Sequence, residues 1–342
     1  MSIWWNRNPK GAFENEMLNI FVTYRCNLAC PYCFARELFS DFPHDMRRED
    51  FNRLLQWMTD TGVTRAALIG GEPTLHPEIL TVAMEMCDAG IDVVLFTNGL
   101  FAGELAARLP LYISHFVINY NDPERYAPGQ YERLHDNLSQ LVAADSTITF
   151  SKNFSPNARQ YEHFLNGVKH YGIRAVRYDI TRPGHSGTNE FTHTTDSREL
   201  MAHIVRFVRE CEALGVKTGM DCCVRYCDLS HDDRAFLERV SMKFRGICHP
   251  SIDIHPDLSA SYCLPLKDVA VRDVTAFASR DRLMHHFAAT VRPWRFENVS
   301  ENCLSCHDFK KKCQGGCMVT KMKERDAAGM DSAGPKNDRN LT

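Results

Sequence analysis

No apolar stretch in this chain approaches the ~18 residues that a membrane-crossing helix requires. The opening residues Met1-Ser2-Ile3-Trp4-Trp5-Asn6-Arg7-Asn8 lack the apolar core of a secretory signal. Positive charge is not in excess either: 40 Lys and Arg against 43 Asp and Glu leave a net charge of −3. That argues against a broad basic field for nucleic acid or an anionic membrane. A cytoplasmic protein without nucleic-acid or membrane partners is expected. What is present, 44% hydrophobic and 24% charged residues over 342 positions, suits a globular chain of one large domain plus a smaller one.

Cysteine is abundant instead: 14 residues, many for a compartment where disulfides are disfavoured. They are clustered. Three lie in Cys26-Asn27-Leu28-Ala29-Cys30-Pro31-Tyr32-Cys33, nine fall between Cys222 and Cys317, and only Cys87 and Cys211 stand apart. Clustering points to metal, with Cys87 and Cys211 expected as single buried thiols. The first group follows the apolar run Leu18–Thr23, which reads as a buried strand, and Asn27 and Pro31 make the segment a loop. Three thiolates are one short of the four that close an iron–sulfur cluster or a structural zinc site. An incomplete cluster leaves one iron open for another ligand; on the residues alone, a zinc knuckle is the alternative.

The loop resembles the cluster loop of the radical SAM enzymes: Cys, three residues, Cys, any residue, an aromatic, Cys, with Tyr32 at the aromatic place. The resemblance implies that Cys26, Cys30 and Cys33 hold a [4Fe–4S] cluster whose open iron is chelated by S-adenosylmethionine (SAM). Reductive cleavage of SAM then gives a 5′-deoxyadenosyl radical that takes a substrate hydrogen. A second segment, Gly70-Gly71-Glu72-Pro73, resembles the family's glycine–glycine–glutamate motif, so Glu72 is expected to meet the SAM amino group. On the residues themselves, the glycines permit close backbone approach to a ligand and Glu72 offers a carboxylate at a strand end. Thr97-Asn98-Gly99 and Asn119-Tyr120-Asn121 resemble the family's third and fourth strand ends. Asn98, Asn119 and Ser151 therefore join Tyr32, Gly70, Gly71 and Glu72 as expected cofactor contacts. Arg177 or Asp179 is expected to point into the barrel, and His185 and His193 carry no assignment.

Periodicity gives six strand-then-helix units: strands at 18–23, 65–69, 91–97, 113–120, 147–151 and 175–180, and helices at about 47–60, 77–87, 131–143, 158–171 and 197–214, with a short one after 99. This succession predicts a parallel α/β sheet with right-handed crossovers, too short for a closed eight-fold barrel. It suits the partial (β/α)6 TIM-like barrel of radical SAM enzymes, with ligands at the carboxyl ends of the strands. The expected divisions are a lead-in at 1–17, a core at 18–215, a cysteine-rich domain at 216–324 and a disordered tail at 325–342.

The cysteine-rich end resembles the SPASM and twitch extensions that hold auxiliary iron–sulfur clusters, and Asp253–Cys263 resembles their β-hairpin. Leu258 stands where that pattern has glycine, the six-residue Cys306–Cys313 gap is one residue longer than usual in that pattern, and no cysteine follows Cys317. These departures speak against the exchange of ligands between clusters found in that family. Counting along the chain gives two sets instead: Cys222, Cys227, Cys248 and Cys263, then Cys303, Cys306, Cys313 and Cys317, with Cys223 left over. A zinc ribbon is the alternative for the second set.

The expectation is a radical SAM enzyme with one or two auxiliary [4Fe–4S] clusters acting on a ribosomally made peptide by oxidation, cross-linking or epimerisation. The alternative substrate is a small metabolite such as a sugar or nucleoside, favoured by the lack of the extra N-terminal domain with which many relatives grip a leader peptide. A remote alternative is a non-catalytic iron–sulfur or zinc protein. Flavodoxin or ferredoxin is the expected electron donor, and a separate peptide-recognition protein a further partner. No catalytic acid, base or hydrogen donor is assigned.

Overall fold

The computed structural model describes residues 17–249 and 251–327. Six strands follow the expected positions: β1 Leu18–Thr23, β2 Arg65–Gly70, β3 Asp92–Thr97, β4 His115–Asn119, β5 Ile148–Phe154 and β6 Ala175–Ile180. Between them run α1 Arg48–Asp60, α2 Ile79–Asp88, α3 Gly103–Arg108, α4 Gln130–Ala143 and α5 Glu162–His170, and α6 Ser197–Ala213 follows β6. Neighbouring strands pair in parallel from β1 to β6. Strand alternation divides the apolar residues between two faces. Ile20, Leu68, Leu95, Phe116, Phe150 and Tyr178 pack under the helices, while Ala67, Val94 and Val117 form a small separate cluster inside the barrel.

The sheet continues beyond the six expected strands. β7 Lys217–Met220 pairs with β6, and after α7 His231–Val240, β8 Ser241–Met242 pairs with β7, both in parallel. On the other side, β9 Asp253–Ile254 lies parallel to β1, and β10 Ala260–Ser261 and β11 Ala270–Val271 follow antiparallel. The linear order β11-β10-β9-β1-β2-β3-β4-β5-β6-β7-β8 is an open, partial barrel. The expected hairpin is therefore present as β9 and β10, and it is bonded to the strand that carries the first cysteine loop. Its turn keeps the left-handed backbone that the family's glycine would supply, but at Leu258, whose φ is 68° and whose side chain is fully buried. A non-glycine residue in that region costs about 1–2 kcal/mol, which burial of the leucine offsets.

Three further helices follow among the described residues: α8 Arg280–Arg295, α9 Glu301–Leu304 and α10 Met318–Ala327. Arg325, Asp326 and Ala327, expected as the start of the tail, belong to α10; the rest of that segment, and the lead-in before Met17, lie outside the described residues. Cys211 is buried as expected, whereas Cys87 is exposed on α2.

Candidate active site and cysteine centres

The first cysteine loop leaves the carboxyl end of β1 and is tied to the ends of the next three strands. Gly71 N–H donates to Thr23 O at 2.9 Å and Glu72 N–H to Arg25 O at 2.7 Å. A Cβ on Gly70 would lie 2.2 Å from Thr23 O, and one on Gly71 2.3 Å from Arg25 O. The glycines are thus required by the root of the cysteine loop itself, which fills the space that the sequence reading gave to a ligand.

Glu72 is fully buried. Its Oε1 accepts from Thr74 N (3.2 Å), Thr74 Oγ1 (2.6 Å) and Thr97 Oγ1 (2.7 Å), and its Oε2 accepts from Asn98 N (2.7 Å). Burial raises this carboxyl above its usual range, opposed by those four donors. The expected carboxylate at the mouth is therefore an internal brace between β2 and β3: four donors hold it, and none of its surface reaches the mouth. Asn98 continues the brace, its Nδ2 donating to Asn27 Oδ1 in the cysteine loop at 2.7 Å.

Tyr32 joins the loop to β4. Its hydroxyl donates to Asn121 Oδ1 at 2.6 Å and accepts from Asn119 Nδ2 at 2.9 Å. Asn119 Oδ1 and Asn121 Nδ2 are buried and have no hydrogen-bond partner. One orphaned acceptor and one orphaned donor beside three thiols form a polar cradle of the kind a hydroxyl-bearing ligand fills. Burial pushes the Cys30 and Cys33 thiols above their ordinary values, which binding to metal would reverse with release of protons.

Deeper in the barrel, Arg177 gathers the polar ends of β5 to β7. It donates to Ser151 Oγ at 3.0 Å, Asp221 Oδ2 at 2.5 Å and Asp179 Oδ2 at 3.3 Å. Ser151, expected as a cofactor contact, is buried and held by this guanidinium. Burial works against the Asp221 carboxylate, yet Lys243 and Arg177 outweigh it and hold the group well below the carboxylate range. Asp221 and Lys243 follow strands too short to show in the sequence.

The later cysteines sort by space and not by chain order. Gln314 Nε2 donates to Cys223 Sγ (3.5 Å) and Cys248 Sγ (3.4 Å), and Tyr262 Oη lies 3.2 Å from Cys248 Sγ. Cys317 is an electrostatic neighbour of Cys222, Cys223 and Cys263. Cys227 instead faces Cys313 and Cys303, and Cys303 faces Cys313 and Cys306. Cys317 thus lies near the inner thiols and Cys227 near the outer ones, across the two sets counted along the chain. The turn at Gly315 and Gly316, with positive φ values of 78° and 111°, separates Cys313 from Cys317 in the chain.

Around the inner group stand three cations that the sequence reading missed. Lys321, only 6% exposed, donates to the carbonyls of Arg295 and Gln314 at 2.9 Å, and among the described residues no carboxylate pairs with it. Arg182 donates to Cys223 O at 2.6 Å and Arg295 to Tyr262 Oη at 3.3 Å, and the Nε of each is buried without a partner. Burying a cation such as Lys321 with no carboxylate beside it is costly, so this donor set fits an anionic group among the thiols, as an iron–sulfur cluster with four thiolate ligands is. Among the described residues no three His, Cys, Asp or Glu side chains stand close enough for a single metal ion.

A cysteine loop at the carboxyl end of the first strand of an open parallel barrel defines a class. Residues 20–136 match the model of the Radical SAM superfamily, and the chain carries a radical SAM domain. The domain brings the cofactors of that family, a [4Fe–4S] cluster and SAM, and the three-cysteine loop with its orphaned asparagine atoms suits them. Among particular relatives, the GTP 3′,8-cyclase of Lactiplantibacillus plantarum is 31% identical over 99 residues, 28% of this chain and 30% of the relative. That of Heliobacterium modesticaldum is 41% identical over 148 residues, 39% of this chain and 45% of the relative. The chain thus spans less than half the length of these curated relatives. Two solved structures share the fold over most of the chain. Streptococcus suis SuiB bound to S-adenosylmethionine covers 90% of this chain and 74% of its own, at 18% identity and a TM-score of 0.63. Native anSMEcpe with bound AdoMet covers 88% of both chains, at 18% identity and a TM-score of 0.65.

Proposed function

We propose that this protein is a radical SAM enzyme that modifies a peptide, with two auxiliary iron–sulfur clusters beyond the barrel. The observation that carries the peptide reading is the extent of the likeness. The peptide-bound neighbours, SuiB with precursor peptide SuiA and anSMEcpe with peptide Kp18Cys, share the architecture over 90% and 88% of this chain. The cyclase relatives match only 28% to 39%.

In this reading Cys26, Cys30 and Cys33 would hold the catalytic cluster, and the free atoms of Asn119 and Asn121 would help hold SAM. Bound there, the cluster and SAM would supply reductive cleavage to a 5′-deoxyadenosyl radical that abstracts a substrate hydrogen. The chain's own residues do the positioning. Glu72 and Asn98 fix the loop against β3, and Tyr32 sets the two asparagines. Arg177, Asp179 and Asp221 present charge inside the barrel, where substrate polar groups would be aligned. Auxiliary clusters on the later cysteines would supply electron transfer or hold the domain shut.

The second reading, a small nucleotide-like metabolite, is favoured by the cyclase relatives and by the charged barrel interior. One experiment separates the two. Reduced, reconstituted protein with SAM is given either GTP or any short peptide found encoded beside its gene, and products are read by mass spectrometry. A mass change in the peptide with GTP intact supports the proposal; turnover of GTP with the peptide unchanged refutes it.

A further inference from the structure

We infer that Cys227 supplies the fourth ligand of an outer auxiliary site with Cys303, Cys306 and Cys313, and that Cys223, and not Cys222, completes an inner set with Cys248, Cys263 and Cys317. Cys222 is left as a free thiol at the barrel mouth. This rests on the reading of auxiliary iron–sulfur clusters given above and assigns this chain's residues to them.

The outer set is built by contacts that press the short turn Tyr226–Asp228 onto the loop 306–316. Gly246 O accepts from Gln314 N at 2.9 Å, and Gly246 is bridged to Cys313. A Cβ on Gly246 would lie 3.1 Å from Cys313 Cα and 3.1 Å from the Tyr226 ring, so no side chain fits between turn and loop. The Arg234 guanidinium lies over the same ring at 3.9 Å and donates to Asp308 Oδ2 at 2.5 Å. Cys227 is carried by this clamp to the Cys303 and Cys313 thiols. Within the loop, Gly315 N–H donates to Cys313 Sγ at 3.3 Å, and Cys303 Sγ is 3.4 Å from where a Cβ on Gly315 would sit. Three thiols from the loop need a fourth, and Cys227 is the cysteine that faces them.

The inner region offers five thiols for four positions. Cys223 is 1% exposed and shares the Gln314 amide with Cys248, and both lie near the cation Lys321. Such amide donors are what cluster sulfurs attract. Cys222 stands differently. Its N–H donates to Asp179 Oδ2 at 3.3 Å, and its charged surroundings are mixed, with Asp179 set against Arg182 and Arg177. The Gln314 amide joins Cys223, and not Cys222, to Cys248, so Cys222 is the thiol to leave out.

The test uses the full chain with Cys26, Cys30 and Cys33 changed to Ala, reconstituted anaerobically so that only auxiliary sites report. Iron is assayed, and the reduced protein is examined by low-temperature electron paramagnetic resonance. The parent should hold about eight irons, in two distinguishable signals, if both sites are cubanes. Cys222→Ala should keep both signals. Cys223→Ala should change the signal that Cys317→Ala changes, and Cys227→Ala the signal that Cys303→Ala changes. If Cys222→Ala disturbs the Cys317-dependent signal while Cys223→Ala does not, or if Cys227→Ala and Cys248→Ala disturb one and the same signal, the assignment is overturned. A parent without auxiliary iron overturns the functional reading itself. Cys227→Ser, whose hydroxyl keeps a weak ligand in place, should shift the outer signal with iron retained, separating ligation from misfolding.

Discussion

Glu72 offers the sharpest test of how the site is held. In Glu72→Gln the carboxylate becomes an amide of the same shape. Its remaining oxygen can serve either Asn98 N–H or the cluster of donors from Thr74 and Thr97. The threonine hydroxyls can rotate to accept from the new NH2, but Thr74 N–H cannot. One buried donor is therefore left unmet, at about 1–3 kcal/mol, and a charge-assisted bond to Asn98 N–H becomes a neutral one, at about 1 kcal/mol more. The total, roughly 2–4 kcal/mol, corresponds to a fall in Tm on the order of 5 °C in a chain of this size. Because the brace holds Asn98, and Asn98 holds Asn27, iron at the first site should fall with it. The sign with pH is also fixed. Burial raises the Glu72 carboxyl, so its contribution to stability is full below the unfolded carboxylate range and is lost as pH rises through the raised folded value. The Gln variant lacks that slope, so the Tm gap between the two proteins should narrow as pH rises. Scanning calorimetry with iron analysis reads all three effects. Normal Tm and iron, with only SAM affinity reduced, would refute the brace and restore Glu72 as a ligand of the SAM ammonium.

Gly71→Ala drives a Cβ to 2.3 Å from Arg25 O and should displace the root of the cysteine loop; first-site iron should be lost with auxiliary iron kept, and full iron content would contradict this. Tyr32→Phe removes the hydroxyl bonded to Asn119 and Asn121, at a cost of about 1–3 kcal/mol, so Tm should fall with first-site iron retained; an unchanged Tm would show that the hydroxyl is not what holds the pair. Lys321→Met removes a buried cation beside the inner thiols and should lower the reduction potential of that cluster in a redox titration, since each added electron then goes uncompensated; an unmoved midpoint refutes the role.

Much of the barrel was legible before any coordinates. β1 and β6 were expected at both their ends because each is a continuous apolar run between turn residues. β7 and β8, four and two residues long, carry too little periodicity to be read, and they are recruited by an edge that β6 leaves open. The cysteine loop and its neighbours on β2 to β4 were legible by motif, but the hydrogen bonds that join them were not. Glu72 looked like a free carboxylate because its three partners include Thr97 and Asn98, which come from the next strand. The later cysteines show the same kind of limit: spacing gives order along the chain, whereas Cys317 lies near Cys222 and Cys223 and Cys227 near Cys303 and Cys313. Leu258 shows that a departure from a motif can keep its geometry, since the left-handed turn survives without glycine.

The central claim is that Cys26, Cys30 and Cys33 carry radical SAM chemistry. It is tested most directly by giving SAM to the reduced, anaerobically reconstituted protein and measuring 5′-deoxyadenosine by chromatography. The account predicts release by the wild-type chain and none when the three cysteines are changed together to Ala. Equal release from that triple variant, or none from wild-type protein loaded with iron, would contradict it.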